Sequence, residues 1–345
     1  MARLSTPVFS ALDMSSGFYN IPMSTKSDSI AETSFSCPII GSFEYLKMPM
    51  GLTNAPATFQ RLIDIAFRPL LNRCLVAYID DLNVYSSDHK QHLHDLAKVF
   101  AGIKHFGLVI NPRKCSLYKN SLVFLGYVIT SNGLKTDPDK IKKIADYPQP
   151  QTITQIRSFI GLCSYYRRFI KNFAAIARPL HDQMKAEGKR PPWGPETTKA
   201  FETLKTALCN SPILIRPDFD KPFTLITDAS REGLGIVLCQ HDEDNKEHVV
   251  LYASRGLLSN ERNYGISKLE MLAVVWGVKT LRPYLLGNKF TIITDHSALK
   301  GLLNTPRPEG IIARWITTLS EYSFEIKYRL GKENRNADFL SRLGY

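Results

Sequence analysis

No two of the six cysteines in this 345-residue chain are spaced as a Cys-x-x-Cys pair. Cys37, Cys74, Cys115, Cys163, Cys209 and Cys239 are scattered, which argues against both a structural zinc site and a disulfide framework. Reduced thiols in an intracellular compartment are the expectation. No apolar run approaches the roughly 20 residues needed to span a bilayer. The start, Met1-Ala2-Arg3-Leu4-Ser5, lacks the apolar core of a secretory signal, so no membrane partner is expected. Tandem repeats and low-complexity tracts are missing too. Acids are in deficit: 32 Asp and Glu against 44 Lys and Arg leave a net charge of +12. That excess favours a polyanionic partner, most simply nucleic acid, over a merely soluble basic surface.

What is present is globular. Hydrophobic residues make up 44% and charged residues 22%, enough over this length for two or three domains with cores. Val8-Phe9-Ser10-Ala11-Leu12 reads as a strand that delivers Asp13 at its end. Gly41 to Leu46 reads as another strand, and Pro56 to Ile63 opens a helix. His92 to Phe106 reads as a helix with an apolar stripe at Leu93, Leu96, Val99, Phe100 and Ile103, stopped by Gly107. Leu122 to Ile129 is a strand pair or one strand bent around Gly126. A break at Pro148-Gln149-Pro150 precedes Thr152-Ile153-Thr154-Gln155, which fits a capping box, with Ile156, Phe159, Ile160 and Cys163 at helical spacing behind it. Tyr165 to Lys171 interleaves aromatic and basic groups, suited either to a helix-bundle core or to tracking a phosphate backbone. Lys189 to Pro195 reads as a linker and Glu196 to Leu208 as a helix. From Pro222 the pattern is strand, strand, helix, strand, helix.

Two sets of carboxylates stand out. In Tyr78-Ile79-Asp80-Asp81, adjacent acids sit between two apolar runs, the pattern of a β-hairpin whose turn presents both together. Like charges side by side repel, and a divalent cation would relieve them; a surface Asp-Asp turn is the plainer reading of the four letters alone. Asp13 supplies a third acid. Nucleotidyl transfer uses two metals about 3.5–4 Å apart, held by carboxylates from separate strands. Phe18, five residues after Asp13, is either a core aromatic or a platform beneath an incoming sugar. The second set is Asp228, Glu270, Asp295 and Asp338. Phe223 to Thr227 and Phe290 to Thr294 are apolar strands, each ending in Thr-Asp. Glu270 lies near the apolar face of a helical segment, where an acid needs a partner or a metal. Four carboxylates at element ends suit a nuclease in which two ions grip the scissile phosphate.

Taken in order, these residues resemble the reverse transcriptase–ribonuclease H segment of a Pol polyprotein from a gypsy-type LTR retrotransposon. Phe9-Ser10-Ala11-Leu12-Asp13 with Gly17-Phe18-Tyr19 is similar to the first catalytic motif. Met48 to Gln60 is similar to the motif that positions template and nucleotide, and Tyr78-Ile79-Asp80-Asp81 to the polymerase signature. Lys114-Cys115 resembles the segment whose lysine protonates pyrophosphate, and Phe124-Leu125-Gly126 the primer grip. Phe159 to Leu162 with Tyr165 to Phe169 resembles the thumb. Thr227-Asp228-Ala229-Ser230, Lys268-Leu269-Glu270, Thr294-Asp295-His296 and Asn336-Ala337-Asp338 match the ribonuclease H quartet. The resemblance covers essentially the whole chain. It departs at Met50, where phenylalanine is usual, and at Glu32, near a usual lysine.

The resemblance implies a mixed α/β (α+β) fold: a right-hand palm with partial fingers over 1–135, a thumb over 136–192, a connecting segment over 193–222 and a ribonuclease H-like domain over 223–345. It implies RNA-directed DNA synthesis at Asp13, Asp80 and Asp81, and RNA-strand hydrolysis of RNA–DNA hybrids at Asp228, Glu270, Asp295 and Asp338. Two Mg²⁺ ions per site, with Mn²⁺ as a substitute, are expected on those seven acids. Phe18, Met50, Gly51 and Lys114 are expected at the nucleotide. Gln60, Tyr78, Phe124, Leu125, Gly126, Tyr166, Arg167 and Arg168 are expected at primer and template. The implied partners are an RNA template, a DNA primer, RNA–DNA hybrid and deoxynucleoside triphosphates, with a homodimer or parent polyprotein in addition. The implied location is cytoplasmic, within a virus-like particle, or nuclear. The chain starts almost at the first motif, upstream of which the family has further fingers strands, so a truncated palm is expected. The alternative is a relic or domesticated protein that binds nucleic acid with ribonuclease H activity alone or with none.

Overall fold

The computed structural model describes residues 7–25, 29–185, 193–296 and 308–329. Its contacts divide the chain after Ser131 into two compact units.

The first unit is built on a four-stranded antiparallel sheet: β1 (Val8–Asp13), β4 (Leu75–Tyr78), β5 (Asp81–Ser86) and β6 (Ser116–Lys119), in the spatial order β4-β5-β1-β6. β1 and β5 run antiparallel with Asp13 opposite Asp81. Two helices, α1 (Ala55–Ala66) and α2 (His89–His105), bury Phe59, Ile63, Leu96, Val99 and Ile103 in the same core as Leu12, Leu75, Leu82 and Val84. The strand expected from Gly41 to Leu46 is shorter. It is β3 (Gly41–Phe43), paired with β2 (Phe35–Cys37). Leu122 to Ile129 is a hairpin of β7 (Ser121–Phe124) and β8 (Tyr127–Thr130). Its turn residues Leu125 and Gly126 both have positive φ, 46° and 69°, as a two-residue turn matched to strand twist requires.

Of the apolar stripe predicted for α2, Leu96, Val99 and Ile103 are buried, while Leu93 and Phe100 are not. Leu93 is 62% exposed and Phe100 37%. The buried face carries His92 and Asp95 beside these three apolar residues. Ser10 Oγ lies 2.7 Å from His92 Nε2, and His92 Nδ1 lies 3.1 Å from Ser86 Oγ. Ser86 Oγ donates to Asp95 at 2.8 Å. Paired in this way, polar groups enter a core without the penalty of lost hydration, and apolar periodicity cannot find them.

The second unit opens with β9 (Gly133–Thr136), α3 (Pro138–Ala145), α4 (Ile153–Tyr165), α5 (Phe173–Gln183) and α6 (Pro195–Cys209). The Thr152 hydroxyl caps α4 by accepting from Gln155 N–H at 3.2 Å. The returning Gln155 amide oxygen accepts from Gln151 rather than from Thr152 itself. A five-stranded sheet follows, of β10 (Phe223–Ala229), β11 (Gly233–His241), β12 (Glu247–Gly256), β13 (Lys289–Thr294) and β14 (Ser323–Tyr328), in the order β12-β11-β10-β13-β14. The first three strands are antiparallel, and β13 and β14 add in parallel. Helices α7 (Ile266–Thr280), α8 (Arg282–Leu285) and α9 (Gly310–Leu319) complete it. The predicted strand, strand, helix, strand, helix is thus corrected by a third strand before α7 and a last strand after α9. α7 is buried on nearly every side, from Leu269 through Val275, the pattern of a helix inside a core rather than on a surface. Among the described residues, no helix is long and apolar enough to cross a membrane.

Candidate active sites

In the first unit the acids meet at a strained turn. Tyr78 pairs with Asp81, leaving Ile79 and Asp80 as the two turn residues. Ile79 has φ 50°, a left-handed conformation that a β-branched side chain rarely adopts. Two bonds hold it there. Ile79 N–H donates to Gln60 Oε1 at 2.8 Å, and Met14 N–H donates to the Asp80 carbonyl at 3.1 Å. Gly17 makes room beneath the turn: a Cβ there would run into the Asp80 carboxylate and come within 2.8 Å of Phe59.

Asp80 Oδ1 is buried without a hydrogen-bond partner. Burial first, then the charges of Asp13 and Asp81, raise the Asp80 pKa, opposed by Lys114. Asp81 is raised by burial and by Asp13. Lys114 Nζ stands 3.6 Å from Asp13 Oδ1, the one cation paired with this cluster among the described residues. The structure therefore brings together Asp13, Asp80, Asp81 and Lys114. Phe18 packs edge-on against Phe59 at 5.6 Å. Met50 and Tyr78 are exposed, and Gly51 has φ 97°. Phe124, Leu125 and Gly126 form the tip of the β7–β8 hairpin. Gln60, expected at the template, is half-buried, with its Oε1 accepting from Ile79 N–H and its Nε2 donating to Asp64 at 2.9 Å.

In the second unit β10 and β13 are parallel neighbours with Ile226 opposite Ile293. Asp228 and Asp295, each two residues further on, emerge at the same end of adjacent strands. Glu270 on α7 lies beneath them and is only 4% exposed. The Ala229 N–H reaches its carboxylate, while Oε2 is buried without a partner. Burial, then Asp295 and Asp228, push its pKa up to about 8. His296 Nε2 lies 2.8 Å from Ser267 Oγ. This bridge ties the residue after Asp295 to the turn of α7 that precedes Glu270. Sequence motifs place His296 beside Asp295 but give no sign of its bond to Ser267. Asp338 lies outside the described residues. Arg167 is exposed and Arg168 half-buried, in a 3-10 turn after α4. Tyr166 is corrected: its side chain is fully buried, packed edge-on against Tyr165 at 5.0 Å, and serves the core rather than a nucleic acid.

Among the described residues no three His, Cys, Asp or Glu groups converge into a ready metal cage. Each site nevertheless fits a hard divalent cation. Each holds a carboxylate whose proton affinity is raised by burial and by neighbouring acids, and each has a buried carboxylate oxygen with no donor, Asp80 Oδ1 in one and Glu270 Oε2 in the other. Such oxygens are the preferred ligands of Mg²⁺, and a cation would remove both the repulsion and the unmet bond.

Residues 3–129 match the family model described as reverse transcriptase (RNA-dependent DNA polymerase), and residues 218–322 match the RNase H-like domain found in reverse transcriptase. Both families are in general dependent on divalent metal. The chain is 43% identical to the retrovirus-related Pol polyprotein from transposon 297 of Drosophila melanogaster, across 97% of this chain and 31% of the polyprotein. It is 35% identical to that from transposon gypsy of the same organism, across 97% and 33%. It thus spans about a third of the length of these relatives. Its fold is shared with the foamy viral protease-reverse transcriptase. The complex of that enzyme with dsDNA gives a TM-score of 0.81 at 24% identity, covering 96% of this chain and 69% of the other. Its complex with RNA/DNA hybrid gives 0.78 at 22%, covering 93% and 44%. The chain belongs to the reverse transcriptase–ribonuclease H family of retrovirus-related Pol polyproteins.

Proposed function

We propose that this chain carries out RNA-directed DNA synthesis in its first unit and hydrolysis of the RNA strand of RNA–DNA hybrids in its second. The observation that carries the first reading is the meeting of Asp13, Asp80 and Asp81 across paired strands, with Asp80 Oδ1 buried and unpartnered. Asp13, Asp80 and Asp81 would hold two Mg²⁺ ions, and so would Asp228, Glu270 and Asp295 together with Asp338. Bound there, divalent ions supply a nucleophile at neutral pH and neutralise the charge that develops on the transferred phosphate. The protein's own part is positional. The Ile79-Asp80 turn, braced by Gln60, keeps Asp80 and Asp81 close to Asp13. Lys114 stands where it can balance negative charge or give up a proton. Phe18, five residues after Asp13, and Gly51 would meet the nucleotide. The basic surplus favours the phosphates of template, primer and hybrid. Replication of a retrotransposon is the process such a pair of activities would serve.

The test is primer extension on an RNA template with Mg²⁺ varied, against a chain carrying Asp80→Asn and Asp81→Asn. Extension by the native chain and its loss in the variant are expected. No extension by the native chain at any Mg²⁺ concentration overturns the polymerase reading. Hybrid cleavage that persists unchanged in Asp228→Asn overturns the assignment of the second site.

A further inference from the structure

Asn172 stands outside the matched ribonuclease H-like region, in the chain just before α5, yet it touches one of that region's acids. Its backbone is left-handed, with φ 55° and ψ 31°, which asparagine tolerates better than most residues. As the N-cap residue of α5 it would ordinarily spend its side chain on its own helix, but it makes no such bond. Its Nδ2 donates instead to Asp228 Oδ2, at 3.3 Å.

The sheet is shaped to receive it. Asp228 on β10 lies opposite Gly235 on β11, and Gly235 lies opposite Ser254 on β12, one row across three strands. A Cβ at Gly235 would run into Asn172 Oδ1, so the glycine leaves a slot for the amide beside the acid. At the end of the row, Ser254 Oγ accepts from Ala174 N–H at 2.9 Å. That bond satisfies a helix-start donor and pins the segment to β12. One end of the segment is thus anchored on Ser254 and the other on Asp228.

We infer that Asn172 is a positioning residue for the Asp228 carboxylate, so that the nuclease site of this chain includes a residue from its helical region. The inference rests on the functional reading above. The amide donates to one oxygen of a carboxylate that must present its remaining lone pairs to a cation, and so limits how that carboxylate can turn.

The experiment uses the full chain carrying Asp80→Asn and Asp81→Asn, so that the second site is the one read. Asn172→Gly keeps the backbone conformation and removes the amide. Mn²⁺ affinity, followed by electron paramagnetic resonance, and hybrid cleavage should both fall about 10- to 100-fold, the usual effect of removing a group that orients a metal ligand. Gly235→Ala, which drives the amide out of its slot, should reproduce the loss. The double variant should be no worse than Gly235→Ala alone, because the two act through one contact. Mn²⁺ affinity unchanged in Asn172→Gly, or losses that simply add in the double variant, would overturn the inference. If the native chain cleaves no hybrid, the functional reading falls, while the Mn²⁺ measurement still decides the role of Asn172.

Discussion

The acids of the first unit meet across a two-residue hairpin turn, half-exposed and beside a lysine. Those of the second meet at the ends of two parallel strands over a buried helix, and among the described residues no cation pairs with Asp228, Glu270 or Asp295. Both arrangements hold carboxylates close together, but they contain the repulsion differently. The hairpin relies on local bracing, with a left-handed Ile79, a glutamine acceptor and an excavation at Gly17. The sheet-and-helix site relies on burial, and Glu270 bears the cost as a pKa near 8. The first design should be sensitive to small changes in shape, the second to charge and pH.

The largest test of that contrast is chemical. Asp81→Asn should reduce primer extension, and Glu270→Gln hybrid cleavage, each by about a thousandfold, since ion-supplied stabilisation is worth several kcal/mol and each ~1.4 kcal/mol is tenfold. Each variant should leave the other activity within about twofold, as expected for independent sites. Paired assays on both variants decide this; a large fall in the unmutated site's activity would break the separation drawn here.

Next in size is a shape change without a charge change. Gly17→Ala puts a methyl group where the Asp80 carboxylate lies. The side chain that can move is the acid itself, so the relief of the clash should show up in catalysis. Extension should fall at least about tenfold, the cost of a displacement near 1 Å or less at a reacting group. The melting temperature should move by only a few degrees, as for a local effect near 1 kcal/mol. Unchanged extension would mean that the turn is not as tightly held as its geometry indicates.

These tests also mark how far the sequence could be read. The positions of Asp13, Asp80 and Asp81 were legible because alternation and turn residues report directly on strands and hairpins. Asp228 and Asp295 were legible as strand-end acids, though not their adjacency, which depends on parallel pairing of β10 with β13 across sixty-odd residues. On α2, Leu96, Val99 and Ile103 were legible as core, but His92 and Asp95 were not, because they are polar letters whose burial depends on hydrogen bonds to Ser10 and Ser86 on two strands. Tyr166 looked like part of a basic-aromatic surface because its letter is amphipathic and its burial is set by packing. β14 escapes the pattern for a related reason: it largely alternates half-buried and exposed residues at a sheet edge, so its apolar signal is weak.

The second unit's sensitivity to charge can be read without any catalysis. A carboxyl whose pKa rises from 4.5 to about 8 on folding keeps its proton in the folded protein where the unfolded chain has lost it. Stability is therefore lost as the pH rises from about 4.5 to about 8, and the cost is absent below that window and fully present above it. Glu270→Gln removes the cost. In metal-free buffer the variant should be more stable than the native chain at pH 8.5 by on the order of a few kcal/mol, each pKa unit corresponding to ~1.4 kcal/mol. The two should converge near pH 4.5. Denaturant titrations across that range measure the difference, and a gap that does not vary with pH would show that Glu270 is not held protonated by its surroundings.

The smallest effect probes the brace of the first unit. Gln60→Ala deprives the Ile79 N–H of its acceptor at a turn already held in an unfavourable conformation. An unmet part-buried amide costs about 1–3 kcal/mol, so stability should fall by about that amount and extension several-fold. Gln60→Glu is the informative partner, because it keeps an oxygen facing Ile79 while giving up the bond to Asp64. If the glutamine works through the turn, the glutamate variant retains most of the extension that the alanine variant loses. If it works by touching the template, both fall together, since a carboxylate facing a phosphate backbone is at least as harmful as a missing amide.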